Sequence, residues 1–101
     1  MERGLHDITS ATTVSLLPIR SGSGDIRSIT LANYNNIYSV NVDVFLEDKS
    51  GDKAYIVKSL AIPRVSTVRI VDYINFDNSV LALKLTTAGT AGNIELSVIV
   101  K

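Results

Sequence analysis

Apolar residues recur at every second position along most of this chain, which is the period of a pleated strand with one buried face. The pattern is clearest over 38–47, where Val40, Val42, Val44 and Leu46 alternate with Asn41, Asp43, Phe45 and Glu47. Leu81, Leu83 and Leu85 alternate with Ala82, Lys84 and Thr86, and Ile94, Leu96, Val98 and Val100 repeat the pattern in the closing segment. Further strands are predicted over 12–17, stopped by Pro18, over 26–33, over 53–62, stopped by Pro63, and over 65–73. Turns are predicted between them at 20–25, 33–36, 48–52, 75–78 and 88–93, where glycine, asparagine, aspartate and serine accumulate. No segment carries a 3.6-residue stripe. The prediction is an all-β chain of seven strands, eight if residues 5–10 also pair. It folds as a compact antiparallel β-sandwich, with jelly-roll and immunoglobulin-like strand orders both open.

Composition strengthens this reading. Valine, isoleucine and threonine fill 30 of the 101 positions, and β-branched side chains suit a pleated, half-buried surface. Tryptophan is absent, so the core must be aliphatic. The length gives one domain, placed at 12–101, with 1–11 read as an N-terminal arm because it lacks periodicity. Ten basic residues balance ten acidic ones, and they are scattered, which argues against a nucleic-acid partner. Apolar runs are only a few residues long and the N-terminus has no apolar leader core, so no membrane association is expected. With no cysteine, disulfides and thiolate metal sites are excluded.

Candidate chemistry is sparse. The single histidine, His6, lies beside Asp7 in the arm, where no fixed general base can form. One histidine without cysteine falls short of a zinc ligand set. The acidic stretch 47–52 lacks the twelve-residue calcium spacing and has Lys49 in its midst. Asp72 and Asp77 have no long loops from which to build a sugar cleft, and Gly22 and Gly24 lack the Lys-Thr ending of a phosphate loop. No catalytic residue, cofactor or metal is therefore expected.

What remains is surface for contact. Tyr34, Tyr38, Tyr73 and Phe76 stand at strand ends, where an aromatic either caps the core or anchors an interface. Leu5 and Ile8 are apolar residues of the arm, expected to order on a neighbouring subunit. Ile99 interrupts the polar face of the last strand, which is expected at a sheet edge. Leu5, Ile8, Tyr34, Tyr38, Phe76 and Ile99 are thus the candidate interface residues. A symmetric homo-oligomer, a trimer, is the expected assembly.

Four ordered segments carry a resemblance: Asp25-Ile-Arg-Ser-Ile-Thr-Leu-Ala-Asn33, Val40-Asn-Val-Asp-Val-Phe-Leu-Glu-Asp48, Tyr55-Ile-Val-Lys-Ser-Leu-Ala-Ile-Pro63 and Asn75-Phe-Asp-Asn-Ser-Val-Leu-Ala-Leu-Lys-Leu-Thr-Thr87. Over 8–101 the chain resembles small virion structural proteins of tailed bacteriophages, those of marine and cyanobacterial hosts in particular. The glycine usual after the Ile-Pro pair is replaced here by Arg64-Val65-Ser66. The resemblance implies a non-enzymatic capsid decoration or cement protein, made in the host cytoplasm and bound in the virion to the major capsid protein or other virion proteins. A neck, tail or fibre component and a carbohydrate-binding β-sandwich are the alternatives.

Overall fold

The computed structural model describes residues 4–19, 23–71, 74–89 and 94–101. Gly22, Asp72, Tyr73 and most of the turn predicted at 88–93 lie outside the described residues. Among the described residues ten strands form: β1 (Gly4–Ile8), β2 (Thr13–Leu17), β3 (Ser23–Ile26), β4 (Ile29–Asn33), β5 (Val40–Asp48), β6 (Lys53–Ile62), β7 (Ser66–Ile70), β8 (Ile74–Asp77), β9 (Leu81–Ala88) and β10 (Leu96–Val100). They make two four-stranded sheets, ordered β1-β10-β4-β7 and β2-β9-β5-β6, and a two-stranded ribbon, β3-β8. Every pairing is antiparallel.

The strand order resolves the two topologies left open by the sequence. β1 pairs with β10, β2 with β9, β3 with β8, β4 with β7 and β5 with β6. The chain is one long antiparallel ribbon rolled up, with the 48–52 turn at its tip, and this is a jelly roll. Within each sheet the roll is closed by a cross-pairing, β10 with β4 and β9 with β5.

The core sits between the sheets, as the alternation requires. Val40, Val42 and Val44 from β5 and Leu83 and Leu85 from β9 face Leu31 of β4 and Leu96 and Val98 of β10, all essentially without solvent contact. Leu46 and Leu81, expected in the same layer, are only half-buried. They stand where β5 and β9 run out at the open end of the sheet, Asp48 opposite Leu81.

Three expectations are corrected. Residues 4–8 are not a free arm: they form an edge strand whose Ile8 is 4% exposed and packs in the core. Residues 23–25 and 75–77, expected within turns, belong instead to β3 and β8, which pair with each other where the rolled ribbon crosses between sheets. Gly24 is required there by close approach, since a Cβ would lie 2.3 Å from the Phe76 ring. The closing strand is not an edge, because β10 runs between β1 and β4.

Candidate functional site

Two of the six candidate interface residues are withdrawn by burial. Ile8 and Phe76, 4% and 6% exposed, both belong to the core cluster, so neither side chain is free to meet a partner. Leu5 and Ile99 stand opposite each other across the β1–β10 register on the outer face of the first sheet. Leu5 is well exposed and Ile99 half-buried. His6, expected in the arm, is the neighbour of Leu5 in an edge strand and therefore turns inward, opposite Val98.

Tyr34 and Tyr38 fall in the β4–β5 connection at one end of the sandwich, and the structure gathers two further apolar side chains there. Tyr34 is 45% exposed, Ile37 66%, Tyr38 38% and Val65, from the β6–β7 turn, 65%. Two buried asparagines hold these turns together. The Asn33 amide nitrogen donates to the carbonyls of Tyr38, Ile62 and Pro63 at 3.1, 3.1 and 3.2 Å, and its Oδ1 accepts from the Asn35 backbone N–H. Asn35 Oδ1 in turn accepts from the N–H groups of Ile37 and Tyr38, both at 2.8 Å. The two turns are sewn directly as well, by Val65 N–H to the Asn35 carbonyl and by the Arg64 guanidinium to the Asn36 carbonyl.

The sequence places these asparagines in a turn, where asparagine commonly tolerates left-handed backbone, but that is not how they act here. None of Asn33, Asn35 and Asn36 takes a left-handed backbone conformation. Their side chains work instead as templates for the surrounding main chain. The left-handed residue is Val65, at φ 53°, in the very turn where the usual glycine is replaced. A β-branched residue in this region costs about 1–3 kcal/mol, and it persists only where its surroundings over-determine it. Here the strained turn holds an aliphatic side chain out into water.

Tyr34 is fixed from a third direction. Its hydroxyl donates to Asp7 Oδ1 at 2.6 Å and its N–H to the Glu95 carbonyl. The bond to the Asp7 carboxylate, helped by desolvation and by the negative charges of Asp7 and Glu95, pushes the phenol up to about 12. The result is a platform of two tyrosines and two aliphatics whose turns are braced by side-chain and backbone hydrogen bonds. Such a surface loses little conformational entropy on meeting a partner. Ile37 and Val65 were missed by the sequence reading. An isoleucine isolated in an asparagine-rich loop is the one signal that could have found the first, while the conformation of Val65 leaves no signal in composition.

No protein-family model and no curated protein matches the chain. Among solved structures, a carbohydrate-binding module of *Clostridium perfringens*, CpGH89CBM32-6, superposes with a TM-score of 0.60 at 10% identity, over 96% of this chain and 75% of that one. PirA gives 0.59 at 14% identity, over 96% and 93%. The Gt strain of infectious bursal disease virus gives 0.52 at 8% identity, over 96% of this chain and 31% of that one. These likenesses establish the β-sandwich fold.

Proposed function

We propose that this chain is a non-catalytic docking domain of a virus particle, a decoration protein held on the outer capsid shell by the platform at its β4–β5 and β6–β7 turns. The fold alone does not choose this role, because jelly rolls serve carbohydrate-binding modules and virus structures alike. The choice rests on the site. Four apolar side chains, two of them tyrosines, are held in solvent by a buried asparagine network and one strained residue. Aromatic anchors on a preorganised surface are what protein interfaces use. The resemblance of 8–101 to virion structural proteins supplies the setting, with the major capsid protein as partner. A neck, tail or fibre position in the same particle would use the same platform and differ in copy number.

The decisive variant is Val65→Asn. Asparagine accepts left-handed backbone readily, so the protein should be at least as stable, by up to about 1 kcal/mol in urea unfolding. It should also lose affinity for capsids in co-sedimentation. A variant that is stabilised and still binds as well as the native chain removes the platform from the function. Quantitative mass spectrometry of purified particles then separates shell from tail, hundreds of copies against six or twelve in symmetric assemblies of roughly those orders. A symmetric trimer through Leu5 and Ile99 belongs to the same proposal. Ile99→Lys, on a central strand but facing outward, should give folded monomers in sedimentation.

A further inference from the structure

The outer face of the β2-β9-β5-β6 sheet carries a second surface, remote in construction from the docking platform and argued independently of it. Phe45 projects to this outer side yet is only 2% exposed, because Tyr55 of the neighbouring strand covers it, the ring centroids 5.6 Å apart and the planes tilted by 55°. Tyr55 itself remains 44% exposed. Each ring carries a cation. Lys53 Nζ lies 5.1 Å from the Phe45 centroid and Lys58 Nζ lies 4.4 Å from that of Tyr55.

The position of Lys58 is not what a regular strand would give. Residues three apart point to opposite faces of a ladder, so Lys58 should turn away from Tyr55. β6 instead holds two irregularities: Val42 pairs with Leu60, Val44 with Val57 and Phe45 with Tyr55, so β6 inserts two extra residues. One irregularity contains Ser59 at φ 56°, whose N–H is held by Asp43 Oδ1 at 2.6 Å. Bulges re-aim side chains, and the one between Tyr55 and Val57 brings a lysine and a tyrosine to one face, while the one at the left-handed Ser59 returns Leu60 to the inner face. The two carboxylates of the face are engaged, Asp43 by Ser59 and Glu47 by Lys84 at 2.5 Å. Lys53 and Lys58 have no carboxylate partner among the described residues.

We propose that this face binds an acidic polysaccharide, a uronic-acid chain, with a sugar ring stacked on Tyr55 and its carboxylates paired with Lys53 and Lys58. A pyranose ring presents a flat C–H face to an aromatic ring, and its carboxylate supplies the missing anion. Hydroxyl and carboxylate groups of Thr86, Asp43 and Glu47 on the same face suit sugar hydroxyls, which donate hydrogen bonds. A chain of zero net charge offers little non-specific attraction to a phosphodiester backbone, so the preference between anions rests on the sugar ring at Tyr55 and on its hydroxyls.

Calorimetric titration of the full chain with oligomannuronate or oligogalacturonate, against a neutral oligosaccharide of equal length and a single-stranded oligonucleotide, tests this. The acidic oligosaccharide should bind about tenfold more tightly than either reference, a difference expected to shrink as salt is raised. Tyr55→Ala and Lys58→Gln should each weaken binding by about fivefold or more; Lys58→Gln is a surface change that leaves the thermal transition in place, whereas Tyr55→Ala uncovers Phe45 and is compared well below its lowered transition. Val65→Asn should leave it untouched, which separates this site from the docking platform. Equal binding of the neutral sugar, tighter binding of the oligonucleotide, indifference to both substitutions, or no binding to any probe would each overturn the proposal.

Discussion

Asn33 shows how much one buried amide can organise. Its side chain is 2% exposed and bonds three carbonyls that belong to the β4–β5 connection, the end of β6 and the turn after it. Truncation to alanine leaves those acceptors and the Asn35 N–H without their partner, and buried polar groups left unmade cost more than the bonds contribute on average. Asn33→Ala is therefore expected to destabilise the domain by about 2–3 kcal/mol in urea unfolding, with an unchanged denaturant slope. A loss below about 0.5 kcal/mol would mean that water replaces the amide and the platform is not rigidly held. Tyr34 offers a second test at this scale. Its phenol is raised to about 12 in the folded protein against 10.0 in the free side chain, chiefly by the bond to Asp7. A raised pKa means that the folded state holds the proton longer, so this contribution is intact below pH 10 and is lost as pH climbs toward about 12. The melting temperature should fall across that window, and Tyr34→Phe should flatten the fall. Asp48 and Asp77 act in the opposite direction. Hydrogen bonds from Asp52 and Ser50 to the first, and from Ser79 to the second, hold both carboxyls below the usual range, so their contributions vanish only in acid.

At the scale of elements, legibility followed alternation. β5, β9 and β10 were readable because each has an apolar residue at every second position along its length, and Val42, Val44, Leu83, Leu85, Leu96 and Val98 are buried accordingly. β1 was not readable because its pattern is inverted: Leu5 and Asp7 point outward, His6 and Ile8 inward. Its only strong inward apolar residue is one isoleucine. β3 and β8 were hidden for another reason. Glycine, serine, asparagine and aspartate normally mark turns, and the strand character of both segments comes from pairing with a partner about fifty residues away, which local composition does not report. The candidate site was half legible in the same sense. Tyr34 and Tyr38 stand out at a strand end, while Val65 depends on a conformation and Phe76 on a glycine beneath it. Because residues 4–8 are a strand and not an arm, trimming the N-terminus has a structural consequence. Deleting residues 1–8 strips the strand that pairs with β10 along Leu96, Ser97, Val98, Ile99 and Val100, so it should destabilise the fold rather than spare it. Ile8→Ala isolates the packing part and should cost about 2–4 kcal/mol. Amide hydrogen exchange checks both, since protection of the β10 amides should fall in the deletion and persist in the point variant. Full protection in the deletion would show β1 to be dispensable.

For the whole molecule, the rolled ribbon sets the order in which contacts can form. Among the described ladders only β5–β6 pairs strands consecutive in the chain, and the turn between them is prepared by its own side chains. Asp48 Oδ1 accepts from the N–H groups of Ser50 and Asp52 and from the Ser50 hydroxyl, while Gly51 takes φ 93°. The nested ladders β4–β7, β3–β8, β2–β9 and β1–β10 join strands separated by the whole of the ribbon inside them, and the cross-pairings β9–β5 and β10–β4 also span distant segments. Closing longer loops costs more chain entropy, and a fold dominated by distant pairings reaches its transition state slowly. Folding should therefore take milliseconds to about a second, nucleated at the β5–β6 hairpin and zipped outward, with β1–β10 among the last ladders to form. Val44 and Val98 make a matched pair for testing this, since both are 0% exposed and belong to the innermost and outermost ladders. Alanine at either should remove about 2 kcal/mol, enough for reliable kinetic analysis. Stopped-flow measurements in urea are expected to divide the two effects differently. Val44→Ala should mainly slow folding, because its contacts exist in the transition state, whereas Val98→Ala should mainly speed unfolding. The reverse assignment would place the nucleus in the cross-paired β10–β4 ladder, and the roll would then close before its tip is formed.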